Sequence, residues 1–75
     1  MKNQNDKHFN RIKEVLKEKG VKANWLAEKM GKSYPTMIAY TSNSRQPSIE
    51  VLYQIAELLQ VSVKDLLIDN KELEK

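Results

Sequence analysis

Hydroxyl side chains are concentrated in one segment of this sequence, between Gly31 and Ser48. These groups donate and accept hydrogen bonds, and Lys32 and Arg45 lie among them as possible partners for anions. Bond-making chemistry is not indicated, because no nucleophile in the chain has a base at a recognisable spacing. The residue types therefore favour a binding function, and we expect the protein not to be an enzyme.

The composition narrows the possibilities further. The chain has 75 residues, no cysteine and one histidine, so disulfides, thiolate metal sites and Cys/His nucleophile pairs are absent. We expect no metal, no cofactor and no small-molecule substrate. A chain of this size forms one domain, and 40% hydrophobic residues are enough for a core. Because no apolar run exceeds the four residues MIAY and no signal-peptide pattern is present, we expect a cytoplasmic protein without a membrane segment.

Positive charge is unevenly distributed along the chain. The net charge is +3, but residues 1–48 hold ten Lys and Arg against four Asp and Glu, whereas residues 49–75 hold three against six. A basic surface suits a polyanion such as nucleic acid, yet many Lys-rich helices are merely soluble. Charge alone leaves both interpretations open.

Apolar residues recur at helical spacing along most of the chain, and no strand pattern interrupts them. The pattern predicts a compact all-α bundle of five short helices over residues 8–68, with a flexible tail at 1–7 and a charged tail at 69–75. Phe9, Ile49 and Leu67 are expected in the core. The first predicted helix begins near residue 6 or 7 and ends at Gly20, the second spans about 23–30 and ends at Gly31, and the third spans about 33–42 and ends at Asn43. The fourth begins after Ser48, and the fifth begins after Ser62.

The third predicted helix has an unusual outer face. Only Met37 and Tyr40 are expected to point inward, so short polar or rigid residues cover the rest of it. The DNA major groove, about 12 Å wide, admits a helix whose outward side chains are short enough for its backbone to approach the base edges. The segment 22–43 is therefore predicted to be a helix-turn-helix that binds double-stranded DNA.

Over roughly residues 9–67 the sequence resembles the Xre/Cro-type (lambda-repressor-like) helix-turn-helix domains of phage repressors and bacterial regulators. The shared motifs are LAEKMGKS, the apolar residues Met37 and Tyr40, the turn at Asn43, and QPSIEVLYQIAELLQVSVKDLL. The resemblance implies a repressor-like fold that binds operator DNA as a homodimer on an inverted repeat. The positions that it implies for base contacts are Tyr34, Pro35 and Ala39, with Thr36 and Ile38 beside them. The positions that it implies for phosphate contacts are Ser33, Ser42, Ser44 and Arg45, to which we add Lys22, Asn24, Lys32 and Asn43.

The chain departs from the family pattern at two places. Many relatives open the second helix with Thr and then Gln, which cap it and hold a phosphate, whereas this chain has Lys22 and Ala23. Pro35 occupies a usual base-contacting position but has no N–H donor, so its contact with DNA must be steric or apolar. We therefore expect specificity that depends on thymine methyl groups and DNA shape.

Two further expectations concern protein partners. Val51, Tyr53, Leu58 and Ile68 exceed what the predicted core requires, which is typical of a dimer surface, and we expect Val51, Leu58 and Ile68 to form it. The same fold also serves as a protein-interaction module, such as an antitoxin or a transcriptional adaptor, and the sequence does not separate these roles.

Overall fold

The computed structural model describes residues 8–73, and within that range the chain is entirely helical apart from its turns and termini. The helices are α1 (Ile12–Lys19), α2 (Ala23–Met30), α3 (Tyr34–Thr41), α4 (Ile49–Leu59) and α5 (Asn70–Leu73), with a 3-10 helix (Val63–Leu66) between α4 and α5. No strand forms in the described range, where the antiparallel pairing of Asn10 with Leu67 is an isolated bridge. The predicted all-α fold is confirmed.

One core joins the elements. Each of α1 to α4 and the 3-10 helix contributes one large side chain that is fully buried: Ile12, Leu26, Met37, Ile55 and Leu66. Burying a side chain of this size contributes about 1.5–3 kcal/mol. Because α1 to α4 and the 3-10 helix each supply such an anchor, the positions of these five elements depend on one another.

Left-handed residues end three of the helices. Gly20 follows α1 with φ 69°, Gly31 follows α2 with φ 66°, and Gln60 follows α4 with φ 58°. At Gly31 the chain reverses tightly, because the Lys32 N–H donates to the Ala27 carbonyl at 2.9 Å and closes a Schellman turn. The two glycine caps predicted from the sequence are confirmed, and the second one directs α3 back onto α2.

Three apolar residues predicted in the core lie at the surface instead. Phe9 is 41%, Ile49 66% and Leu67 39% exposed. The predicted start of helix 1 was also wrong, because α1 begins at Ile12. Before it, Asn10 forms the isolated bridge with Leu67, and the Phe9 carbonyl accepts a hydrogen bond from the Ile68 N–H at 3.0 Å. This pairing takes the place of the expected first turn.

The predictions for the two tails have different outcomes. The flexible tail predicted over residues 1–7 lies outside the described residues. In the segment predicted as a charged tail, residues 70–73 form α5, one turn of helix. The Lys71 N–H donates to the Asp69 carboxylate at 2.9 Å, which supports the start of this turn.

Substitution of Gly31 tests the turn between α2 and α3. A Cβ atom at this position would meet no other atom within 4 Å, so Gly31→Ala should lose only the cost of a left-handed backbone, about 1–2 kcal/mol. Gly31→Asn should lose less, because Asn tolerates that conformation. Chemical denaturation measures both, with Gly20→Ala as a control at an equally open position. A loss of more than about 3 kcal/mol at Gly31 alone would indicate a steric conflict that the structure does not contain.

Candidate nucleic-acid interface

A narrow inner face attaches α3 to the rest of the domain. Met37 is fully buried, Tyr40 is 6% exposed and Thr41 is 8% exposed. These residues are spaced so that they share one side of the helix, which packs chiefly on α2. The attachment leaves the opposite side uncovered.

The outer face of α3 carries mostly small side chains. Pro35, Ala39 and Ser42 lie along one line, at intervals of four and three residues, opposite the buried side. The larger Tyr34 and Ile38 flank this line and are 53% and 37% exposed. All five predicted base-contacting residues are at least partly accessible, with Thr36 and Ala39 half-buried and the other three exposed.

Ser33 caps the start of α3. Its Oγ accepts a hydrogen bond from the Thr36 N–H at 3.2 Å, and its hydroxyl donates to the Thr36 Oγ1 at 2.9 Å. Pro35 lies in the first turn, where a missing N–H removes no helical hydrogen bond. Ser33, predicted to contact phosphate, therefore has a capping role within the protein.

At the other end of α3, three donors converge on the carbonyl of Ala39. They are the Arg45 N–H at 3.1 Å and the hydroxyls of Ser42 at 3.2 Å and Ser44 at 3.3 Å. The turn is held by these bonds, while Ser42, Ser44 and Arg45 are exposed at its surface. Arg45 thus projects from an ordered turn next to the outer face of α3.

Asn43 does not fit the predicted phosphate-binding role. Asn43 is only 7% exposed. Its Oδ1 accepts hydrogen bonds from the backbone N–H groups of Phe9 at 2.8 Å and Asn10 at 3.0 Å, and from the Gln46 side chain at 3.0 Å. Its Nδ2 donates to the Asn10 carbonyl at 3.0 Å. Because these bonds occupy the side chain inside the protein, we correct the prediction and regard Asn43 as structural.

The partner of Asn43 was missed in the sequence. Asn10 is 2% exposed and belongs to the segment before α1. A local signal existed, because its Oδ1 accepts a hydrogen bond from the Ile12 N–H at 3.0 Å, as Asn commonly does before a helix. Its contacts with the end of α3 have no local signal.

The start of α2 forms a second part of the surface. Lys22 precedes the helix and makes no side-chain capping hydrogen bond, as its departure from the family pattern predicts. Instead the Asn24 Oδ1 accepts from the Trp25 N–H at 3.0 Å. Lys22, Ala23, Asn24 and Tyr34 line an open cleft between the first turns of α2 and α3. The positive end of the α2 dipole lies at this cleft.

The charged side chains in the sequence segment that contains α3 are all basic. Residues 29–49 contain three Lys and Arg and no carboxylate. Within residues 8–73 the side-chain ion pair joins Arg11 to Glu18 at 3.4 Å, away from this segment of the sequence. Because neither Lys32 nor Arg45 forms an ion pair with a carboxylate of the described residues, their charge can act on a molecule that approaches α3.

Comparison with known proteins identifies this arrangement. A family model of the Cro/C1-type helix-turn-helix DNA-binding domain matches residues 11–72. The chain belongs to this family. A crystal structure of a candidate DNA-binding protein from Bacteroides fragilis is similar, with 49% sequence identity, a TM-score of 0.78, and coverage of 79% of this chain and 95% of that one. No curated protein matches the chain. The resemblance seen in the sequence is confirmed.

In this Cro/C1-type domain, the helix-turn-helix consists of α2, the Gly31 turn and α3. The predicted base-contacting residues lie on α3, the predicted phosphate contacts Lys32, Ser33, Ser42, Ser44 and Arg45 lie at its two ends, and Lys22 and Asn24 lie at the start of α2. Among residues 8–73 no helix is long and apolar enough to cross a membrane.

The residues predicted to form a dimer surface differ in how far they are exposed. Val51 is half-buried against the core of the Cro/C1-type domain, and Leu58 is 37% exposed beside a cleft that Lys29 of α2 also lines. Ile68 belongs to the segment that pairs with Phe9. The more exposed apolar side chains of α4 are Ile49 at 66% and Tyr53 at 59%, four residues apart on one face.

Two serine caps allow a matched test of α3. Ser33 and Ser48 each accept a hydrogen bond at 3.2 Å from the N–H three residues on, at the starts of α3 and α4. Each Ser→Ala substitution should lower the free energy of unfolding by about 1 kcal/mol. Only Ser33→Ala should also weaken DNA binding, because it loosens the first turn of α3. Denaturation and fluorescence anisotropy with labelled DNA measure the two effects, and equal weakening by both variants would argue against α3 as the contacting helix.

Proposed function

We propose that this domain is a transcriptional regulator that recognises an operator in double-stranded DNA through α3 and binds it as a homodimer on an inverted repeat. The observation that carries the proposal is the exposed, slim outer face of α3, which lies in a sequence segment, residues 29–49, that contains three cations and no carboxylate. The domain acts by occupying the operator and so blocking or recruiting polymerase.

Base recognition depends on shape and apolar contact in this proposal. Pro35 and Ala39 lie on the central line of α3 and carry no side-chain hydrogen-bond donor or acceptor. They suit the thymine C5-methyl group, whereas the Tyr34 hydroxyl can bond to a base edge or a phosphate. Ile38 adds an apolar contact beside them. Each well-recognised base pair contributes about 1–3 kcal/mol of discrimination.

Phosphate contacts supply most of the attraction. Arg45 at the end of α3 and Lys32 before its start are placed to contact the backbone on either side of the groove, with Ser42 and Ser44 as hydroxyl donors. Lys22 and Asn24 at the start of α2 extend this set. Such contacts position the protein on the duplex and make its affinity depend on salt.

A second copy would place a second α3 one helical turn away, about 34 Å along the DNA. The acidic balance of residues 49–75 supports a surface that faces away from phosphate. Ile49 and Tyr53, together with Leu58, are the candidates on α4 for contacts between the two copies. Val51 and Ile68, predicted from the sequence for the same role, have less exposed area.

A second candidate function is a protein-interaction module, such as an antitoxin or an adaptor. Tyr34 and Ile38 are large, exposed and four residues apart on α3, so they could also bind an apolar groove of another protein. The cations beside them favour DNA over this alternative. Failure to bind any DNA at low salt would reverse that preference.

Removal of Arg45 should weaken binding to every DNA sequence. Arg45→Ala loses one phosphate contact, so the slope of log affinity against log salt should fall by about 0.9. Lys64→Ala is the matched control, because it removes one exposed cation from the 3-10 helix in the acidic part of the sequence. Anisotropy titrations at several salt concentrations measure the slopes. Equal changes in both variants would mean that only net charge matters.

Substitution of Ala39 should change which operators bind. Ala39→Asn introduces a donor–acceptor pair that suits adenine, so the preferred base should change at one position in each half-site. Sequencing of DNA fragments selected by the wild-type and variant proteins measures this preference, and the wild type should select an inverted repeat. The base-contacting role of Ala39 is excluded if the variant loses equal affinity for selected and random DNA.

A further inference from the structure

The two ends of α3 are attached to the rest of the protein in different ways. Toward its start the helix is capped by its own Ser33, whereas its far end is bonded to a distant part of the chain. The Asn10 Nδ2 donates to the Tyr40 carbonyl at 3.1 Å, across 30 residues of sequence. Tyr40 lies in the last turn of α3, where backbone carbonyls have no partner within the helix. The same carbonyl also accepts a hydrogen bond from the Asn43 N–H at 3.1 Å, so Asn10 adds a long-range bond to a local one at the end of α3.

Asn43 makes the reciprocal connection. It lies just beyond α3 with φ 66°, and its side chain bonds to the backbone of Phe9 and Asn10 on both its oxygen and its nitrogen. Gln46 joins the same network, because its Oε1 accepts from the Asn10 Nδ2 at 2.9 Å. In the described residues no buried side-chain nitrogen or oxygen is left without a partner. The network is therefore complete, and removing one amide leaves others unsatisfied.

The geometry of α3 makes this connection important for its orientation. Three of its side chains are buried, and its outer face has no support from the protein. A helix with so small an apolar anchor can tilt or shift unless directional bonds hold it. The bonds from Asn10 and Asn43 supply direction at the C-terminal end of the helix, beside the buried Tyr40 and Thr41.

We propose that Asn10 and Asn43 are positioning residues for operator recognition, which hold the end of α3 in the orientation that brings its outer face to the bases. The role rests on the proposed function. Neither residue contacts DNA. Their loss increases the share of domains in which α3 is misoriented, and apparent affinity for the operator falls in proportion to the share that stays competent.

Asn43→Gly is the variant that isolates the side chain. Glycine keeps the left-handed backbone at no steric cost, so the variant removes the hydrogen bonds alone. Affinity for the selected operator should fall about tenfold, while weak binding to random DNA at low salt should change by less than about twofold. The matched control is Gln60→Gly, the same substitution at the other left-handed position that is not a glycine, where the side chain is exposed.

Asn10→Ala provides the second variant, and the two together test a shared network. Both substitutions remove the same connection, so the double variant should lose less operator affinity than the sum of the single losses. Additive losses, or equal losses on operator and random DNA, would overturn the positioning role. Binding is compared at a temperature where denaturation shows every variant to be folded.

Hydrogen exchange measures the same effect without DNA. In Asn43→Gly the amides of Tyr40 to Ser42 should exchange about tenfold faster relative to those of α2 and α4, because the end of α3 opens locally. Uniform acceleration in all helices would show a loss of global stability only and would overturn the proposal. If the wild type fails to distinguish any DNA sequence, the proposed function fails, whereas the exchange result still decides whether Asn10 and Asn43 hold α3.

Discussion

The contact surface of α3 has to stay slim, and this constraint shapes the rest of the domain. In the proposed function α3 enters the major groove, and a helix in that role cannot bury its outer face in its own protein. The buried side chains of α3 are Met37, Tyr40 and Thr41. Everything else that fixes its position is supplied from its ends. The Gly31 turn and the Ser33 cap act at its start, and the amide network acts at its finish.

Features with a local cause were predictable from the sequence. The glycine caps after α1 and α2 and the serine caps of α3 and α4 each depend on one residue and its immediate neighbours, and all four occur in the structure. Apolar periodicity led to wrong predictions where distant segments of the chain meet. Periodicity identifies Phe9 and Ile49 as apolar. It cannot show that pairing with the C-terminal segment makes α1 begin later than predicted, or that Ile49 points outward at the start of α4. The bonds of Asn10 to the end of α3 span 30 residues or more, so no local pattern could place Asn43 in the interior rather than on phosphate.

In the proposed function, affinity and specificity have separate physical origins. Cations at the two ends of α3 and at the start of α2 would attract any duplex, and salt would screen that attraction. The central line of α3 carries no charge and contributes only when its shape fits the bases. The uncapped start of α2, beside the exposed Lys22, adds partial positive charge from the helix itself.

The pairing of the first and last core segments has a consequence for how the molecule folds. The Arg11 side chain and the Asp65 carbonyl, joined at 3.1 Å, are 54 residues apart, and their backbone neighbours pair in the same place. Closing so long a loop costs conformational entropy that local helix formation does not. A ribosome must therefore release nearly all of the described chain before this pairing can form, and it is the last segment that completes the native state.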